Sequence, residues 1–252
     1  MSAPEASNHI SAPSTAPENE QYKPAFPLID LDKLDISPSY RPMITAINIA
    51  VRKIMNNPPY DASHNYQHAR RGVMNGVKIL TLEFKTHQWA RDVDPLVVIL
   101  ACLVHDIGDR KYRTEGDARD QETVLLDFLA GFECPDALRR EVALLAASVS
   151  FTLSLEEPEL VAAIARKYPA FGFIQDADRL DALGAIGLTR MHMFHGAHKV
   201  YKHGSIDQGA KLMEQRFGHY PGLMKTEAEE RFEFKMGEWK ARFASETEYS
   251  YV

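Results

Sequence analysis

Three separate stretches of this 252-residue chain carry side chains that bind metal ions: SHNYQHARR with His68, LVHDIGDRKY with the adjacent His105 and Asp106, and QDADRLDALGAIGLTR with Asp178. Two imidazoles and two carboxylates, with water completing the shell, suit a divalent ion of the Mn, Mg, Fe, Co or Zn type. The set contains no thiolate, which argues against a closed structural zinc site, and open coordination positions point to catalysis. His64 lies one turn before His68 and is an alternative ligand from the residues alone. Asp109 follows Asp106 by one turn and can face the same cavity; otherwise it is a surface acid paired with Arg110. Lys111 and, at the end of GLTR, Arg190 are the local cations for a phosphate group. Beside Asp178, Asp181 shares its helix face, and Asp176 reads as an N-cap. His192, His195, His198 and His203, interrupted by Gly196, read as a solvated helix end rather than a second metal site.

These side chains need helices to carry them. Leu96 to Val104 is an unbroken apolar run that follows Asp94-Pro95, an N-cap acceptor and a first-turn proline. Such a run is too short for a bilayer and belongs in the middle of a core, which puts the chemistry of His105 and Asp106 at its end, where Gly108 loosens the backbone. Helical spacing predicts a first helix from Met43 to Met55 and a second capped by Asp61 or Ser63 and carrying His64, His68 and Arg71. Further helices are expected from Asp120 to Phe132, from Pro135 to about Ser148, and from Glu157-Pro158 to near Pro169. A stretch from Phe173 to Arg190 carries Asp178. A polar link with Gly196 and Gly204 then precedes amphipathic stretches from Ile206 to Phe217 and Thr226 to Phe243. No segment alternates as a strand would, so an all-α fold is expected.

The chain is 45% hydrophobic and 10% aromatic, with a formal charge of −6, which suits one sizeable core and argues against a nucleic-acid polymer as partner. Its two cysteines, Cys102 and Cys134, form no disulfide framework. With no secretory or mitochondrial pattern and no membrane span, a cytoplasmic address is expected, the nucleus being an alternative. Residues 1–27, rich in Ser, Ala, Pro and Glu, read as a disordered arm preceding a domain over 28–252.

The three ligand stretches, with KTEAEERFEFK near the end, resemble the HD-domain metal-dependent phosphohydrolase superfamily, and within it the small HD hydrolases and nucleotide pyrophosphohydrolases. The resemblance runs from about Ile44 to Phe243. It implies a helical bundle with one divalent ion held by His68, His105, Asp106 and Asp178; the family's His-x-x-Arg pattern selects His68, with Arg71, over His64. It places the family's acid on Asp109, which would orient the attacking water or take its proton, while Lys111 and Arg190 hold the phosphates of a small phosphorylated substrate, most naturally a nucleotide. Val149 stands where relatives often carry a histidine, which favours a single ion. The alternatives are an HD-fold iron oxygenase, which needs additional histidines, and a non-catalytic helical metal-binding module; a homodimer is left open.

Overall fold

A computed structural model describes residues 28–34, 36–113, 116–198, 206–226 and 237. The expected arm, His203 and nearly all of the stretch from Thr226 to Phe243 lie outside the described residues. Among the described residues the structure is carried by α1 (Arg41–Met55), α2 (Tyr66–Thr86), α3 (Pro95–Val104), α4 (Gln121–Ala130), α5 (Asp136–Ala147), α6 (Phe151–Glu156), α7 (Pro158–Lys167), α8 (Ala170–Asp181), α9 (Gly184–Ala197) and α10 (Ile206–His219). The described residues contain no strand, and the fold is all-α.

The bundle is built on α3. Asp94 accepts the Leu96 N–H at 2.8 Å, Pro95 occupies the first turn, and every residue from Leu96 to Val104 is buried. Burial of each large aliphatic side chain is worth about 1.5–3 kcal/mol, so a helix apolar on all faces is held by the neighbours that cover it. Those neighbours are α1, α2, α5 and α8, and α2 also packs along α8. The three ligand-bearing stretches are thereby brought to one end of α3.

Several local expectations need correction. Helix α2 begins at Tyr66 and is capped by Asn65, whose side chain accepts the Gln67 N–H at 3.0 Å, rather than by Asp61 or Ser63. The Asp61 carboxylate is used elsewhere, accepting the Ser63 N–H at 2.7 Å and the Tyr112 hydroxyl at 3.0 Å. Nor is Asp176 an N-cap. It sits inside α8, fully buried, and its Oδ2 accepts the backbone N–H groups of Lys225 and Thr226, each at 2.8 Å, clasping the segment after α10 onto α8. The stretch from Phe173 to Arg190 is broken between α8 and α9, where Gly184 takes φ +69°, a left-handed conformation that costs glycine little. Gly196 does not open a link, because α9 continues through it to Ala197. No helix among the described residues is long and apolar enough to cross a membrane.

Candidate metal centre

Helix α3 ends at Val104, and His105 to Gly108 turn the chain sharply: Ile107 N–H donates to Val104 O at 2.8 Å and Asp109 N–H to Asp106 O at 3.2 Å. Gly108 makes the turn possible with φ +72°, and a Cβ there would lie 2.5 Å from a Val124 methyl. A helix end leaves carbonyls without intrahelical partners, and here side chains from outside the helix satisfy them. Gln121, the first residue of α4, donates to His105 O at 2.6 Å and to Ile107 O at 3.2 Å, while the Tyr60 hydroxyl donates to Asp106 O at 2.9 Å. The backbone bearing the two ligand side chains is thus fixed on both sides.

His68 from α2, His105 and Asp106 from this turn, and Asp178 from α8 converge. The His68 and His105 Nε2 atoms are 3.0 Å apart. His68 Nε2 lies 3.2 Å from Asp106 Oδ2 and 3.3 Å from Asp178 Oδ1, and the corresponding His105 separations are 3.5 and 3.7 Å. Metal–ligand bonds of about 2.0–2.2 Å set neighbouring donor atoms roughly 3–3.5 Å apart, so these separations are close to the edges of a coordination shell. The tautomers agree. His68 Nδ1 is 2.8 Å from Asp181 Oδ2, and His105 Nδ1 is 2.9 Å from the Cys102 carbonyl, so each Nδ1 donates outward and each Nε2 faces the centre. Two ring nitrogens at that distance share a proton or a metal ion. Asp106 Oδ2 is buried and accepts no hydrogen bond, an orphan that an ion would satisfy.

The electrostatics agree with the geometry. Burial and Arg190 both lower the His68 pKa, but Asp106, Asp178 and Asp181 outweigh them and raise it to about 10. Burial opposes ionisation of Asp106 and Asp178 as well, yet the two imidazoles hold both carboxyls well below the usual range. The cluster attracts positive charge. Of its members, His68, His105 and Asp106 are buried, whereas the Asp178 side chain is 26% exposed, so the centre is reached from the Asp178 side.

The remaining expected residues surround this core. Asp109 follows the turn: Oδ1 accepts the Lys111 N–H at 2.8 Å, and Oδ2 lies 3.3 Å from Lys111 Nζ, so its partner is Lys111 rather than Arg110. Lys111 Nζ in turn lies 5.4 Å from the Tyr112 ring centre and 5.9 Å from that of Phe194. Arg190 is set deeper, donating from Nε to Ser63 O at 2.7 Å and from Nη1 to Asp181 Oδ2 at 2.9 Å. His64 is placed edge-on to His68, ring centres 5.6 Å apart, with Nδ1 at 2.6 Å from Ser63 Oγ. Burial, reinforced by Lys111, holds its pKa well below the ordinary histidine value, and it is neutral. His198 is only partly solvated: it lies 3.3 Å from Asp61 Oδ2 with its ring centre 4.0 Å from that of Phe194. Among the described residues, His192, His195 and His198 do not form a ligand cluster; His68, His105 and Asp178 do.

The sequence reading did not identify Gln121 and Tyr60 as supports of the turn, since a glutamine at a helix start and a tyrosine after two prolines carry no pattern that names a distant carbonyl. The arrangement around Asp181 was only partly visible. Its Oδ1 accepts from Arg71 Nε at 2.6 Å and its Oδ2 from Arg71 Nη2 at 2.9 Å, so one buried carboxylate faces two arginines and His68.

The chain matches no family model and no curated protein. Its fold is similar to that of Bacillus subtilis YpgQ, with TM-score 0.56 and 22% identity over 83% of this chain and 95% of that one. YpgQ in complex with ADP aligns with TM-score 0.52 and 21% identity, over 82% of this chain and 94% of the other. A Lactobacillus plantarum protein aligns with TM-score 0.57 and 19% identity over 84% of this chain and 98% of its own.

Proposed function

We propose that this chain is an HD-type, divalent-metal-dependent phosphohydrolase whose substrate is a small phosphorylated metabolite of the nucleotide class. One observation carries the reading: the Nε2 atoms of His68 and His105 and the carboxylates of Asp106 and Asp178 face one point, with both Nδ1 atoms bonded outward. The likeness of fold to YpgQ, a protein solved with ADP, supports the nucleotide class.

His68, His105, Asp106 and Asp178 would hold one ion. When bound, it supplies Lewis acidity toward a phosphoryl oxygen and toward water. The chain's own residues do the rest. Asp178, the partly exposed member, marks the side from which substrate arrives. Asp109, oriented by Lys111, positions the attacking water and takes its proton. Lys111 Nζ, held against two aromatic faces, neutralises a non-reacting phosphate oxygen. Arg190, expected to hold phosphate directly, serves the centre in this reading through Asp181, which orients His68.

The test is a screen of nucleotides and sugar phosphates with Mn²⁺, Mg²⁺, Co²⁺ or Fe²⁺ in the absence of oxygen. Release of phosphate or pyrophosphate, lost in His105→Ala together with the metal, is the expected result. Failure of every ester and anhydride at full metal occupancy, or turnover that requires oxygen, would overturn the assignment.

A further inference from the structure

A cleft of about 590 Å³ is lined by Arg71 and Arg190, the two arginines that bond Asp181, and by none of the metal ligands. One wall is a single face of α9, where Ile186, Thr189, Arg190 and Met193 recur at helical spacing; Arg71 of α2 and Met55 at the end of α1 line it too. Its size falls in the range of small-molecule sites. Ile186 and Met193 are 46% and 44% exposed, apolar surface that an occupant would remove from water.

The charge in the cleft is positive and partly unspent. Arg71 uses Nε and Nη2 on Asp181, and Arg190 uses Nε on Ser63 O and Nη1 on Asp181, which leaves Arg71 Nη1 and Arg190 Nη2 without a partner among the described residues. Asp61 also borders the cleft, but Ser63, Tyr112 and His198 already surround its carboxylate. The carboxamides of Asn56 and Gln67 line the same space and can pair with the edge of a heterocycle.

We propose that this cleft is a second ligand site, taking a phosphate monoester with a flat, hydrogen-bonding body such as a nucleoside monophosphate. The phosphate lies against Arg71 Nη1 and Arg190 Nη2, and the body covers Ile186 and Met193. The site is linked to the metal centre through one residue. An anion on the two guanidinium groups offsets the charge that draws on Asp181, leaving its carboxylate a stronger partner for His68 Nδ1, 2.8 Å away, and His68 Nε2 a better ligand. Occupancy of the cleft therefore tightens metal binding, and by linkage the metal tightens the cleft ligand.

The experiment uses calorimetry on the full chain with adenosine monophosphate and inorganic phosphate as probes, first with chelator present and then with metal. The arm with chelator involves no turnover and no metal, so it stands apart from the hydrolase assignment. Adenosine monophosphate is expected to bind the metal-free protein, phosphate to compete with it, and saturation with the nucleotide to lower the metal Kd about fivefold or more. Met193→Glu and Thr189→Glu, both at exposed positions, place a carboxylate in the cleft without touching Asp181 and should raise the nucleotide Kd at least about tenfold with Tm and metal content unchanged. Nucleotide binding that disappears with the metal, or that neither variant weakens, would overturn the proposal.

Discussion

Replacing Asp181 with asparagine tests whether this carboxylate acts on the metal through His68 or merely cements α2 to α8 and α9. It is 1% exposed and accepts from His68, Arg71 and Arg190 at 2.6 to 2.9 Å. Removing the charge does two separable things. It leaves two arginines without their counter-ion, for which truncating one partner of a buried pair costs about 3–5 kcal/mol. Asparagine still accepts a hydrogen bond, and the Arg71 side chain is 29% exposed, so the lower end applies. At roughly 2–4 °C per kcal/mol for a fold of this size, Tm should fall by about 6–12 °C. Separately, loss of the carboxylate behind a ligating imidazole costs about 10- to 100-fold in metal affinity, or about 1.4–2.8 kcal/mol.

The two effects differ in their pH dependence. Asp181 is one of the three carboxylates that raise the His68 pKa to about 10, so at neutral pH a proton occupies the centre of the metal-free protein and competes with the ion. Asp181→Asn lowers that pKa and relieves part of the competition. The affinity deficit should therefore be smallest near pH 7 and widen toward pH 9. Competition against a chromophoric chelator at both pH values, below the variant's melting transition, reads the deficit. A metal Kd within twofold of the parent at both, alongside a lowered Tm, would refute the reasoning and leave Asp181 a purely structural ion pair.

Four further outcomes are expected. Metal uptake at pH 7 to 8 should release about one proton per chain, measured by calorimetry in buffers of different ionisation enthalpy; and since the folded His68 pKa lies above the unfolded value, the metal-free protein should lose stability as pH rises from about 6.5 through 10, which melting curves across that window check. Asp109→Asn should retain full metal content by elemental analysis while losing most turnover, because its carboxylate contacts Lys111 and not a ligand atom; an unchanged rate would move the base elsewhere. Gly108→Ala should cost about 2–5 kcal/mol, combining a left-handed backbone with a Cβ forced to 2.5 Å from Val124, and a Tm drop under about 2 °C would contradict that geometry.

The sequence made the fold class and most helix positions legible because those rest on local chemistry. Asp94-Pro95 starts α3 where a cap and a first-turn proline require it, and Pro158 opens α7 as a first-turn proline without a side-chain cap. The errors fall where tertiary contacts override local preference. Asp61 and Ser63 are good caps by residue type, but Tyr112 and His198 hold the Asp61 carboxylate, and the helix starts at Asn65 instead. Asp176 looks like a cap because an acid before an apolar turn usually is one. Its real partners, Lys225 and Thr226, are some fifty residues away along the chain, and no periodicity announces them.

The site shows the same division. Residue type, with the family pattern choosing His68 over His64, named His68, His105, Asp106 and Asp178 as one ligand chemistry, and the structure sets their donor atoms 3.0 to 3.7 Å apart in five pairs. Which nitrogen of each histidine faces the centre depends on what the other nitrogen meets. For His105 that partner is local, the carbonyl of Cys102 one turn back, as the end of any helix provides. For His68 it is Asp181, on a different helix. Helical spacing from Asp178 marks Asp181 as a neighbour of the site, but spacing cannot distinguish a neighbour that binds the ion from one that grips a ligand's back. Only the position of α2 against α8 does so, by placing Asp181 on the Nδ1 side of the ring, where a carboxylate would not reach an ion at the centre and would instead fix the imidazole facing it.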